Sequence, residues 1–239
     1  IIDICLELGQ ADPAYALCDN PNCADCIKQR AALRRDLFVR QPYLVLASTR
    51  LAGRHIPEIA ENCAAAGIER VELDYVQGEP AHAMQPDRLA VVLDQLTEAG
   101  IPAHSIRLNA ITPTTEDLIT TAARAKVAKI VLPLSDECAQ HAGLVKQKKL
   151  AISFVNTIHS AERVSESMSK MKKKGLRTGL TFSPANFART GQKPFLKSFH
   201  TKAKRFIDGL DVEDALFDGA QTRLARGNAE IKEMVSILS

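Results

Sequence analysis

The 239-residue chain contains no Trp, and Phe, Tyr and Trp together supply only 5% of it. A carbohydrate cleft walled by stacked rings is therefore not expected, nor is a nucleotide-stacking platform. No apolar run approaches the roughly 18–20 residues that cross a bilayer, so no membrane span is expected. There is no glycine-rich phosphate loop of either standard type, and no nucleotide cofactor is expected. Neither sign of charge dominates: 31 Lys+Arg stand against 28 Asp+Glu, a net charge of +3. So slight an excess argues against a nucleic-acid partner. Ile1 rather than Met stands first, which is compatible with a removed targeting segment. The composition otherwise reads as that of a cytoplasmic globular protein.

From Tyr43 onward, short apolar runs alternate with longer amphipathic ones. The short runs are Tyr43–Ser48, Arg70–Tyr75, Ala103–Leu108, Lys129–Ser135, Leu150–Asn156, Arg177–Ser183 and Arg205–Val212. Their length and β-branched content predict strands, and continuous apolar stretches such as KIVLPL fit parallel strands covered on both faces. Between them, His55–Ala66, Pro86–Ala99, Glu116–Lys126 and Ser160–Lys174 carry apolar residues at helical spacing. Ser160 and Thr115 are expected N-caps, and Gly67, Gly100 and Gly175 are expected stops. A last helix is expected over Ala229–Leu238. Strand plus helix repeats about every 25–35 residues, a rhythm that builds a parallel sheet.

The expected fold is α/β, a (β/α)8 TIM-type barrel over residues 43–239 behind a Cys-rich segment, 1–42. Seven strands follow residue 42, one short of closure. Ile1–Leu8 (IIDICLEL) is a spare strand-like run, expected either beside Arg205–Val212 as the eighth strand or packed elsewhere.

Four of the six cysteines lie early: Cys5, Cys18, Cys23 and Cys26. Their C-x4-C-x2-C core on an Asp-Asn-Pro-Asn turn suits zinc or an iron–sulfur cluster equally. Free thiols and disulfides are the competing readings. Cys63 and Cys138 sit on expected helix faces. The six histidines are scattered, and His104 and His159 lie best placed to reach a site. The basic runs Lys146–Lys149 and Lys170–Lys174 fall near helix C-termini, where the dipole favours lysine. Lys193–Arg205 mixes Phe195 and Phe199 with charge and is expected as a lid or interface helix.

The segment Tyr43–Tyr75 resembles the opening of the sugar phosphate isomerase/epimerase family, the xylose-isomerase-like barrels, in which a strand, a helix ending AAxxGI and a Val-Glu-Leu strand follow one another. Gly179–Gly191 (GLTFSPANFARTG) resembles that family's sixth strand and loop, and Leu224–Ile231 (LARGNAEI) its late PLGxGEI loop. The resemblance implies a divalent metal held by Glu, Asp, His and Glu at strand C-termini, shifting a proton between neighbouring carbons. At those positions this chain carries Val155, Ser183 and Asp211, with Glu7 the candidate for the fourth. The usual metal centre is therefore expected to be absent.

Glu72, Asp211 and Glu7 are the candidate catalytic groups. Arg50, Arg107, Asn156 and Asn186 are the candidate substrate-binding groups, suited to a small sugar-like ligand through charge-assisted hydrogen bonds. Glu72, Arg107, Asn186 and Asp211 are expected to face one cavity. Two functions stay open: a sugar or sugar-phosphate isomerase/epimerase, or a catalytically silent barrel that binds a ligand or partner protein. Self-association is compatible with either.

Overall fold

The computed structural model describes residues 44–176 and 178–236. The chain divides into two compact units, and the main sheet with its interior belongs to one of them, Val45–Ile231. Cys5, Cys18, Cys23, Cys26, Glu7 and the spare strand Ile1–Leu8 lie outside the described residues.

Seven parallel strands form one sheet in chain order. They are β1 Ala47–Ser48, β2 Val71–Leu73, β3 Ala103–Arg107, β4 Lys129–Pro133, β5 Ala151–Val155, β6 Gly179–Phe182 and β7 Ile207–Leu210. Each of the seven strands expected after residue 42 is present. The first is cut to two residues, because Leu44 and Val45 are 52% and 64% exposed and have no cover to justify pairing. Among the described residues the sheet is open, with β1 and β7 at its edges.

The helices α1 Ile56–Ala65, α2 Pro86–Glu98, α3 Thr115–Arg124 and α6 Ala161–Lys173 match the amphipathic segments. Two short helices, α4 Asp136–Ala139 and α5 Ala142–Gln147, follow β4, and α7 Pro184–Arg189 follows β6. A helix carrying Cys138 and ending near Lys146–Lys149 was expected, and it is split into α4 and α5; α7 was not expected, since it is too short to show a period. Ser135, Ser160 and Ser183 cap α4, α6 and α7 by accepting the backbone N–H of Cys138, Arg163 and Asn186. The final helix is described over Ile231–Ser236 and starts two residues later than expected. No helix among the described residues is long and apolar enough to cross a membrane.

Lys193–Arg205 does not form one helix. Pro194–Phe199 is a π-helical turn and Lys202–Phe206 a 3₁₀ turn. Phe195 and Phe199 stack at 6.2 Å between centroids, and Phe199 meets Phe182 edge-on. The aromatic stripe is therefore tied inward at Phe199, which is buried.

Successive side chains in a strand point to opposite faces. The outer face is apolar: Leu73, Ile106, Ile130, Leu132, Ile152, Phe154, Leu180 and Phe182 are all buried under helices. Buried with them are Ile59 and Cys63 of α1, Leu89, Val92, Leu93 and Leu96 of α2, Leu118 and Ile119 of α3, and Val164 and Met168 of α6. The inner face is mixed. Ser105, Arg107, Lys129, Ser153 and Thr181 share it with Val131 and Val155, by the pairing register and by their mutual contacts.

Two ion clusters cross that interior and show how far the sheet curls. Asp208 of β7 accepts a hydrogen bond from Ser153 Oγ of β5 at 2.6 Å and lies 3.2 Å from Lys129 Nζ of β4. Ser153 also bonds Thr181 at 2.8 Å. Asp208 sits at a register irregularity between β6 and β7. A Cβ on Gly179 would collide with its carboxylate. Glycine at 179 is thus what lets the exposed Asp208 reach Ser153 and Lys129 with its carboxylate.

The LARGNAEI stretch closes the unit. Asp214, 1% exposed, accepts the N–H groups of Ala215, Gly227 and Ala229. Glu230, with φ of +51°, accepts from Phe195 and Leu196 at the start of the π turn. That loop is held by two carboxylate acceptors, the buried Asp214 and the half-buried Glu230, rather than by apolar packing alone.

Gly179→Ala is expected to displace the Asp208 carboxylate from Ser153 and so to destabilise the protein by about 1 kcal/mol, the usual net worth of a hydrogen bond. Chemical denaturation of the variant checks this; an unchanged midpoint would mean Asp208 does not lie against residue 179.

Candidate functional site

The second and larger interior cluster joins three strands. Arg107 ends β3 and donates from Nε to Glu72 of β2 at 2.5 Å. Its Nη1 and Nη2 donate to the two oxygens of Asp211, one residue beyond β7, at 2.9 and 2.6 Å. Ser105, two residues before Arg107 on the same face, donates to the other Glu72 oxygen at 2.9 Å. The three charged side chains are 14–19% exposed. They lie at or beside strand C-terminal ends, where a barrel keeps its chemistry.

Two carboxylates around one guanidinium leave a net charge of −1. Burial raises the Glu72 pKa; the Arg107 cation opposes this and the Asp211 carboxylate reinforces it. The two carboxylates in turn hold the Arg107 proton more firmly than usual, against the opposing effect of burial. Arg107 has five N–H groups and uses three of them here. Two remain for a ligand oxygen.

Asn186 does not join this cluster. Its amide donates to the carbonyl of Asn156 at 2.7 Å, and its oxygen accepts from Arg189 Nη1 at 2.7 Å. Asn156 is fully buried and spends its side chain on the backbone of Ser183, accepting at 2.7 Å and donating at 2.9 Å. These two amides lock the ends of β5 and β6 together. Arg189 continues the network to Glu213 at 2.9 Å, which also accepts from Gln221. Sequence patterning missed Arg189, because it lies on a short helix with no strand end to mark it.

Arg50 stands at the rim, its side chain 56% exposed and 3.7 Å from Asp74. Asp74 is committed to the β1 corner, accepting from Ser48, Thr49 and the Arg50 backbone at 3.0–3.1 Å. His104 and His159 make no hydrogen bond to the Arg107 cluster; the buried Nδ1 of each lacks a partner among the described residues. Burial lowers the His104 pKa, helped by Arg70 and Lys129. Cys63 and Cys138 are buried free thiols whose pKa values burial raises.

No protein-family model matches the chain. No curated protein sequence matches it either. Solved structures do. A xylose isomerase domain protein from Planctomyces limnophilus superposes with a TM-score of 0.61 at 13% identity, over 82% of this chain and 84% of its own. A xylose isomerase-like TIM barrel protein from Mycobacterium smegmatis, in complex with magnesium, gives 0.58 at 11% identity, over 82% and 86%. The shared property is the xylose isomerase-like barrel fold.

A divalent ion of the kind that fold implies needs converging oxygen or nitrogen donors. At the ends of β5, β6 and β7 stand Val155, Ser183 and Asp211. Val155 has no donor, Ser183 Oγ caps α7, and both Asp211 oxygens bind Arg107. Among the described residues no three His, Cys, Asp or Glu side chains converge on a metal position. This donor set does not fit a divalent ion.

Arg107→Met would strand two buried carboxylates and is expected to cost about 3–5 kcal/mol near pH 7. A raised Glu72 pKa means the folded state holds its proton more tightly than the unfolded chain. Its contribution is therefore full below the unfolded pKa and is lost as pH rises through the folded one. Glu72→Gln should flatten that decline. Denaturation of both variants at pH 4–8 checks this; an Arg107→Met cost under 1 kcal/mol, or an unchanged slope in Glu72→Gln, would contradict it.

Proposed function

We propose that the chain binds a small polyhydroxylated molecule, a sugar or sugar phosphate, at the interior ends of β2, β3 and β7. It acts there as an isomerase or epimerase. The observation that carries this reading is the Glu72–Arg107–Asp211 cluster, a partly exposed charged group in a barrel interior of the xylose isomerase-like fold. A guanidinium with two uncommitted N–H groups suits hydroxyl and carbonyl oxygens. A carboxyl group with a raised pKa beside it suits proton transfer. Arg50 supplies a second cation at the rim, while Asn156 and Asn186 shape the mouth by holding its loops. In this reading the chain diverges from its fold relatives at the ion site, with Val155, Ser183 and Asp211 in place of Glu, Asp and His.

A second reading, a catalytically silent barrel that binds a ligand or partner protein, is favoured by one observation. Asn156, Asn186, Arg189 and Glu213 satisfy one another, as a purely structural rim would. Calorimetric titration with a panel of aldoses, ketoses and their phosphates, with NMR of the mixtures, separates the two. Saturable one-to-one binding with conversion to an isomer or epimer is expected. Binding without conversion selects the silent barrel, and no binding contradicts a sugar ligand.

The early cysteines Cys5, Cys18, Cys23 and Cys26 are proposed separately as a zinc or iron–sulfur site, on the affinity of converging thiolates for those metals. Metal analysis should find near-stoichiometric zinc or iron that is lost in the Cys23→Ser/Cys26→Ser variant and kept in Asp211→Ala. Metal-free wild type, or loss of metal in Asp211→Ala instead, would refute it.

A further inference from the structure

The donor set at the described strand ends does not fit a divalent ion, yet the interior is not without a cation. The Arg107 guanidinium stands there, fixed by three charge-assisted hydrogen bonds to Glu72 and Asp211 at 2.5–2.9 Å. Such a planar, permanently charged group does not need a coordination shell. Its orientation is set from two sides, by Glu72 at Nε and by Asp211 at both terminal nitrogens. That leaves the remaining N–H groups as preorganised donors.

We propose that Arg107 is this barrel's built-in replacement for the divalent ion, binding the oxygen of an α-hydroxy carbonyl ligand, and that Glu72 beside it moves the proton. The proposal rests on the sugar-binding reading and assigns it a substrate class and a metal-free 1,2-proton transfer. Glu72 as carboxylate takes the proton from the carbon that bears the hydroxyl group. The C–H electron pair becomes the C=C bond of an enediolate, and the carbonyl π pair moves onto oxygen. The guanidinium N–H groups meet the charge that develops there. Glu72 then returns its proton to the former carbonyl carbon, while the hydroxyl proton passes between the two adjacent oxygens. An aldose becomes a ketose, or the reverse, with no oxidant, reductant or leaving group.

The cluster's charge makes a specific demand. The net −1 before transfer opposes a bound anion, and it falls to zero as Glu72 takes the substrate proton; Glu72→Gln copies that neutral state, so it should favour an anion while removing the proton carrier. Asp211, held on both guanidinium terminal nitrogens, is the positioning residue.

The test is calorimetric binding of glycolohydroxamate, a small enediolate mimic, in the presence of EDTA. Wild type should bind it one-to-one. Arg107→Lys, which keeps charge but loses the fork, should weaken binding at least tenfold while still melting cooperatively. The isosteric Glu72→Gln should tighten it severalfold. Binding that appears only with added magnesium or manganese overturns the proposal, as does unchanged binding in Arg107→Lys. Should Arg107→Lys not fold, Glu72→Gln decides: weaker or unchanged binding overturns the proposal. Sugars that bind while the mimic does not refute only the metal-free step; failure of both refutes the sugar-binding reading itself.

Discussion

One buried arginine fixes the geometry on which the candidate site depends. Arg107 leaves β3 and is gripped by Asp211 beyond β7, 104 residues away in sequence. Four strand positions separate β3 from β7 in the sheet, so the contact forms only if the sheet curls through most of a barrel. Glu72 on β2 closes the same cluster. A buried ion cluster is weak as a source of stability, because desolvation offsets most of the attraction, and apolar side chains of like volume commonly do as well. The cluster therefore sets strand positions in an interior that also carries Val131 and Val155, rather than supplying folding energy.

A second cluster repeats the logic with different chemistry. Lys129, Asp208, Ser153 and Thr181 link β4, β5, β6 and β7. Here a register irregularity and the missing side chain of Gly179 let the carboxylate enter. The interior is thus polar along much of its depth, and the apolar core lies between sheet and helices. Both networks use charged donors and acceptors to set the positions of strands whose own ladders are only two to five residues long.

How much of this was legible in the sequence depends on periodicity. KIVLP and AISFV are continuous apolar runs, and both are strands; Pro86–Glu98 repeats Leu89, Val92, Leu93 and Leu96, and it is a helix. Period fails for helices of four to six residues, which hid α7 and the break between α4 and α5. It also fails for the π turn at Pro194–Phe199, whose Phe spacing mimics an ordinary helix. At the site, strand-end position was enough to single out Glu72, Arg107 and Asp211. It was not enough to separate them from Asn156 and Asn186, which sit at equivalent ends but bond backbone and each other. Facing is local information, whereas hydrogen-bond partnership across the sheet is not. Ser105 and Asp208 went unnoticed for the same reason.

Direct coupling of Arg107 to Asp211 across the interior is the central claim. A double-mutant cycle of Arg107→Met, Asp211→Asn and the combined variant, read by denaturant unfolding at pH 7, measures that coupling apart from the separate costs of each change. An interaction energy of about 1.5 kcal/mol or more is predicted, in the range of close, desolvated charge pairs. Additivity of the two single variants within about 0.5 kcal/mol would contradict it.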